Sequence, residues 1–289
     1  MIIKSDWIND PTGLIKLKGI YHLYFQYLPK SNIWDLGIGW GHATSKDLKS
    51  WKMYHNRVLT PSIKYDKDGC FSGSVINIKN KIYSLYTGVI EKNKVLHEYQ
   101  CLAYSYNGTN FIKYPEPIIK NPPVSNTYGW RDPFVFIYEN TYYILIGSGW
   151  DNKGRILLYQ GDKHFPSKKW TYKGELISIN EKLLLECPFI AFISNNICIL
   201  GASRDNKSPI YWIGKFNGTK FIPKNKEYKV LKSQDGYNIY APTIVNINEK
   251  PYFWTWIRDT NSLYGPCKIE YNEDKQLLKP LKQTQVEQT

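Results

Sequence analysis

Five stretches of the chain share one outline. A polar or small residue precedes Pro or Gly, an apolar run follows, and a polar turn leads into a second apolar run. The stretches are NDPTGLIKLKGIYHLYFQY, FSGSVINIKNKIYSLYTG, RDPFVFIYENTYYILIGSG, ECPFIAFISNNICILGAS and YAPTIVNINEKPYFWTWI. Aligned on Pro11, Gly73, Pro133, Pro188 and Pro242, they recur at spacings of 62, 60, 55 and 54 residues. A second register follows each pair of runs and ends on a large apolar anchor: Trp51, Phe111, Trp170, Phe221 and Leu277, spaced 60, 59, 51 and 56 residues apart. The turns between runs carry Lys79-Asn80, Asn107-Gly108, Glu139-Asn140, Asn195-Asn196 and Asn217-Gly218, and useful helix-period segments are absent. Each unit has room for about four short strands. Five such units predict an all-β chain folded as a five-bladed β-propeller, in which each blade buries its two faces against its neighbours. A sandwich gives no reason for five equal units, and a β-helix repeat is far shorter.

Composition narrows the class. Of 289 residues, 42% are apolar and 22% charged, which excludes a disordered chain, and no run nears the length of a membrane span. Aromatic residues make up 16% and the net charge is +13, so both need a use. Arg appears only at positions 57, 131, 155, 204 and 258, and the remaining basic residues are scattered Lys, which argues for a solvated surface over a nucleic-acid face. Cys70, Cys101, Cys187, Cys198 and Cys267 form no CxxC pair, and the five His show no ligand spacing. The expectation is therefore no metal, no cofactor, no membrane and a reducing, cytoplasmic setting. MIIKSDWIND carries no long apolar stretch of the kind a signal peptide needs. The triplets at Asn107, Asn206 and Asn217 match a glycosylation signal, but an Asn-rich chain produces such matches by chance.

In a propeller the first strand of each blade lines the central channel, so the residues at its mouth converge. Those positions hold Asn9 and Asp10, Phe71 and Ser72, Arg131 and Asp132, Glu186 and Cys187, and Tyr240 and Ala241. Three acids at equivalent places, with Arg131 beside one of them, point to a site. Paired carboxylates in unlike environments are the machinery of glycoside cleavage, one as nucleophile and one as acid, and a third carboxylate can bind or stabilise. Arg131 is expected to keep Asp132 ionised. Ser72 has no neighbouring base visible in the sequence, and His42 reads as a structural hydrogen-bonding residue.

WINDPTG, FSGS, WRDP, ECP and YAP, in that order, resemble glycoside hydrolase family 32, the invertases, β-fructofuranosidases and sucrose-6-phosphate hydrolases. YFQY, WGHATSKDLKSW, QCLAYS and YKGEL between them extend the resemblance over about residues 7 to 280. It implies a retaining glycosidase that releases fructose from sucrose or a related β-fructoside. On this resemblance Asp10 is the nucleophile, Glu186 the acid and base, and Asp132 the holder of sugar hydroxyls. Asn9, Gln26, Trp34, Phe71, Ser72, Arg131, Tyr240 and Trp256 match positions that line the fructose pocket. The partner implied is a small sugar: sucrose, sucrose 6-phosphate or a short fructan. A fructosyltransferase, an arabinanase-like glycosidase of the same fold and an inactive sugar-binding propeller are the alternatives.

The chain departs from the family pattern at Ile8 and Thr12 beside Asp10, and at Asp35 after Trp34. The C-terminal β-sandwich usual in the family is expected to have no counterpart. A single catalytic propeller over 1–289, with a polar tail from about 282, is the expectation, Lys268 to Leu281 forming the outer strand of blade five. The flank that a sandwich would cover is expected either to be polar through added Lys or to serve self-association as a homo-oligomer.

Overall fold

The computed structural model describes residues 2–4, 6–167, 169–194, 197–204, 207–233, 235–247, 250–272 and 277–280. The tail from about 282, the Asn195-Asn196 turn and Asn206 lie outside them. The expected architecture is present: five antiparallel sheets in chain order, and no α-helix among the described residues.

After a short strand, β1 (Ile2–Lys4), blade one comprises β2 (Trp7–Leu17), β3 (Ile20–Leu28), β4 (Gly39–Ser45) and β5 (Lys52–Leu59). Blade two comprises β6 (Gly69–Ile78), β7 (Lys81–Lys92), β8 (Val95–Ser105) and β9 (Ile112–Lys113). Blade three comprises β10 (Gly129–Tyr138), β11 (Thr141–Trp150), β12 (Lys153–Gln160) and β13 (Thr171–Ile179). Blade four comprises β14 (Leu185–Ser194), β15 (Ile197–Arg204) and β16 (Lys207–Phe216), with β17 (Phe221–Pro223) and β18 (Lys229–Val230) both on its outer edge. Blade five comprises β19 (Ile239–Ile247), β20 (Lys250–Ile257) and β21 (Ser262–Asn272), a 3-10 turn at Arg258–Thr260 joining the last two.

The outer edge of blade five corrects the sequence reading. Lys268 to Asn272 still belong to the third strand, and β22 (Leu277–Pro280) pairs with it. The other half of that edge is β1, whose Ile2, Ile3 and Lys4 pair with Tyr264, Leu263 and Ser262. The N-terminal strand thus closes the ring onto the last blade. Three residues carry no hydrophobic period, which is why the sequence pattern did not reveal this pairing.

The chemistry of the strands accounts for the ring. Successive side chains point to opposite faces of a strand, and in β11 Tyr143 and Leu145 join a core shared with blade four while Ile144 and Ile146 join one shared with blade two. Similar cores lie between blades four and five, five and one, and one and two. Many are aromatic: Tyr24, Trp40, Tyr86, Trp130, Tyr211, Phe253 and Trp254 are almost wholly enclosed. Wedge-shaped spaces between twisted sheets take large rings, and this is the structural use of the aromatic excess. The hairpins turn as their sequences require, with Lys79-Asn80 and Glu139-Asn140 both in the left-handed region that a tight two-residue loop demands.

Candidate active site

In blades three, four and five the first strand carries a bulge at the same point. Two residues oppose one on the second strand between Arg131 and Phe134, between Glu186 and Phe189, and between Tyr240 and Thr243. The first bulged residue, Asp132, Cys187 or Ala241, has φ of 64°, 47° or 45°, a strained conformation for a residue with a side chain. Each is held by a hydrogen bond from its backbone N–H: Asp132 to Thr87 Oγ1 at 2.9 Å, Cys187 to Asp132 Oδ2 at 2.9 Å, and Ala241 to Ser203 Oγ at 2.8 Å. Blade two bends one residue earlier, between Cys70 and Gly73. There a Cβ on Gly73 would come within 1.9 Å of Leu85 O, so the position that holds Pro in the other blades must be Gly.

These bulges correct the expectation that the three acids occupy equivalent places. Asp10 and Asp132 stand at the unpaired position, immediately before Pro, whereas Glu186 is one residue earlier, paired across its ladder with Ser203. Two layers result. One contains Asn9, Phe71, Arg131, Glu186 and Tyr240; the next contains Asp10, Ser72, Asp132, Cys187 and Ala241. Glu186 therefore lies between Arg131 and Tyr240 from the blades on either side.

The layers open into a recess of about 340 Å³. It is lined by all eleven residues nominated from sequence, Asp10, Asp132, Glu186, Asn9, Gln26, Trp34, Phe71, Ser72, Arg131, Tyr240 and Trp256, together with Trp7, Leu96 and Arg258. Asp10 Oδ2 accepts from Ser72 Oγ at 2.7 Å. The Cys187 thiol faces Asp10 Oδ2 at 3.6 Å and Asp132 Oδ2 at 3.5 Å. Arg131 donates through Nε and Nη2 to Glu186 Oε1 at 3.1 and 2.8 Å, while Tyr240 O–H donates to Glu186 Oε2. Gln26 is anchored by Nε2 on Cys70 O at 2.8 Å, and Asn9 Oδ1 accepts from Trp7 Nε1 at 2.8 Å. Trp34 stands edge-on to Phe71 with ring centres 5.6 Å apart, and Trp256 edge-on to Tyr240 at 6.2 Å. Apolar ring faces beside carboxylates suit a sugar, which offers C–H surfaces and hydroxyls together.

The electrostatics differ from the sequence expectation at one point. Arg131 was expected to keep Asp132 ionised, but its donors go to Glu186 and, through Nη1, to Glu98 Oε1 at 2.6 Å. Burial pushes Asp132 up to about 7; Arg131 opposes that rise, and the charges of Glu186 and Asp10 add to it. Burial raises Asp10 as well, against the Ser72 hydrogen bond, with Glu186 adding to the rise. Burial also raises the Cys187 thiol, so it stays protonated and acts as a donor to the two carboxylates.

Glu98, Trp7, Leu96 and Arg258 were not nominated from sequence. Leu96, Glu98 and Gln100 alternate along β8, and this period of two was the available signal: Leu96 lines the recess, and Glu98 and Gln100 reach the first strand of blade three, with Gln100 Nε2 on Trp130 O at 2.8 Å.

A larger recess of about 840 Å³ lies away from these carboxylates, over His22, His42, Trp51 and Tyr54 of blade one. Its acid, Asp47, is spent on its own turn, where it accepts from the N–H groups of Lys49 and Ser50, both at 2.8 Å. His42 is structural there: its Nε2 lies 2.9 Å from His22 Nδ1, its ring stacks on Tyr24 and Tyr54, and burial with the His22 charge takes it down to about 3.

The family profile described as "Glycosyl hydrolases family 32 N-terminal domain" matches residues 3–287. The chain belongs to glycosyl hydrolase family 32. Sucrose-6-phosphate hydrolase of Bacillus subtilis is 29% identical over 272 residues, covering 86% of this chain and 54% of that protein. Raffinose invertase of Escherichia coli is 36% identical over 193 residues, covering 64% of this chain and 39% of that protein. A variant of the Bombyx mori GH32 β-fructofuranosidase, solved in complex with sucrose, shares the fold with a TM-score of 0.82 at 24% identity, covering 96% of this chain and 63% of that one. This family 32 chain thus spans about half the length of the curated relatives it matches.

Proposed function

We propose that the protein is a retaining β-fructosidase that hydrolyses sucrose or a related β-fructoside to release fructose. The observation that carries the reading is the convergence of Asp10, Asp132 and Glu186 in one recess, with Glu186 gripped by Arg131 and Tyr240. Membership of family 32 and the likeness to a sucrose-6-phosphate hydrolase and an invertase support it. Asp10 attacks the anomeric carbon of the fructosyl unit as Glu186 protonates the departing oxygen. The resulting fructosyl ester on Asp10 is then cleaved by a water that Glu186 deprotonates. Asp132 holds hydroxyls of the ring, and its raised value lets it donate as well as accept. Ser72, a donor to Asp10, offsets part of the burial that works against its charge. All five cysteines are free thiols, which supports a reducing compartment such as the cytoplasm.

The test is incubation with sucrose, sucrose 6-phosphate, inulin and an arabinan side by side, with products identified. Free fructose is expected from one or more of the fructosides and nothing from arabinan; longer fructosides as the main product would assign a transferase instead. Asp10→Asn is expected to abolish turnover in a folded protein. Glu186→Ala is expected to slow sucrose hydrolysis by about 10²–10⁴-fold while sparing substrates with a good leaving group. Near-normal sucrose hydrolysis by both variants would overturn the assignment.

A further inference from the structure

We infer that Glu98 is a positioning residue for Glu186, acting through Arg131 from the third strand of the neighbouring blade. The inference rests on the reading of Glu186 as the acid. The Glu98 side chain is 8% exposed, and each of its carboxylate oxygens is engaged on blade three: Oε1 accepts from Arg131 Nη1 at 2.6 Å and Oε2 from the Trp130 backbone N–H at 2.5 Å. It therefore clamps two consecutive residues just before the strand enters the bulge that carries Asp132. The guanidinium is a rigid plane, so fixing the Nη1 corner also fixes the edge that Nε and Nη2 present to Glu186.

The clamp also divides a charge. Burial works against the Arg131 cation, and Glu98, followed by Glu186 and Asp132, holds it ionised. With its charge undivided, Arg131 would bear fully on Glu186. A carboxyl facing an unshared guanidinium surrenders its proton too readily to serve as a general acid. Glu98 takes up part of that charge at the far corner of Arg131, outside the reacting groups. The other charged or titratable groups around Glu186 are the Tyr240 hydroxyl on Oε2, the Cys187 thiol, the Asp10 and Asp132 carboxyls of the next layer, and Arg258 over the Tyr240 ring. Glu98 is the group that engages Nη1.

Glu98→Gln keeps the size of the side chain and an acceptor oxygen but removes the charge. The measurement is the pH dependence of kcat on the β-fructoside that the wild-type protein hydrolyses fastest. The alkaline limb is expected to move to lower pH by about one unit in the variant, with KM changing less than kcat. Glu98→Asp, which keeps the charge, is expected to move the limb back toward wild type. A uniform loss of kcat with the limb unmoved, or no change at all, overturns the inference. A wild-type protein inactive on every β-fructoside would count against the proposed function alone. In that event the Glu186 carboxyl is followed by carbon-13 NMR in both proteins, its signal assigned with Glu186→Gln. A titration displaced to lower pH in Glu98→Gln supports the inference, and coincident titrations overturn it.

Discussion

Asp132 combines, in one side chain, the requirements of the site and their cost to the fold. It is nearly enclosed, in a left-handed backbone conformation, and its carboxylate accepts the N–H of the equally strained Cys187. Burial moves its carboxyl from an ordinary value of 3.8 to about 7, so the folded chain keeps a proton that the unfolded chain has already released. The sign follows from linkage: this group's contribution to stability is complete below about pH 4 and is lost as pH rises through 7. Asp132→Asn is expected to be inactive, to match the parent in thermal midpoint near pH 4, and to exceed it near pH 8 by about 2–4 °C for each kcal/mol recovered. Thermal melts at the two pH values check this, and an equal gap at both would show that the carboxyl is not the source. The same residue shows where sequence reading stops. RDP places Arg and Asp side by side, yet the bulge turns their side chains to different partners, and Arg131 serves Glu98 and Glu186.

At the scale of the strand, the bulge is the device that builds the site, and its stability depends on acceptors of the preceding blade, hydroxyls for Asp132 and Ala241 and the Asp132 carboxylate for Cys187. Thr87, on the second strand of blade two, accepts the Asp132 N–H and donates to Gln100 Oε1 at 3.1 Å. Thr87→Val removes the acceptor and leaves a buried N–H unpaired, a loss of about 1–3 kcal/mol in denaturant melts. It is also expected to lower kcat, because Asp132 loses its anchor. Ser203→Ala removes the corresponding acceptor for Ala241, a bulge without a carboxylate, so a similar loss of stability with a smaller effect on kcat is expected. If both variants lose kcat equally, the bulges act only as general scaffolding. The Pro and Gly positions that mark these bulges were legible in the sequence, because ring closure and a missing Cβ are properties of single residues. The one-residue offset between the aspartates and Glu186 was not, because a bulge is defined by what lies opposite.

At the scale of the molecule, every blade shares both of its faces. Leu200 lies in the core between blades three and four, and Leu200→Ala is expected to cost about 2–5 kcal/mol. Calorimetry is expected to show one transition in both the variant and the wild type, since no blade can open without exposing a neighbour. Two resolved transitions would mean that the chain is not one cooperative unit. The strand β1 contributes to the same end, because it ties the start of the chain to the last blade.

The sequence alone determined the number of blades, the all-β class and the meeting of Asn9, Asp10, Phe71, Ser72, Arg131, Asp132, Glu186 and Tyr240 at the channel mouth, because a repeat period and motifs at strand starts are written locally and in order; Gln26, Trp34 and Trp256 came from the resemblance to family 32. Tertiary structure decided the rest. Glu98 and Arg258 reach the site from strands and turns that carry no repeated motif. The closure by β1 depends on three residues, and the shared charge of Arg131 depends on distances between blades. Such features are properties of pairs far apart in the chain, and only the closed ring brings those pairs together.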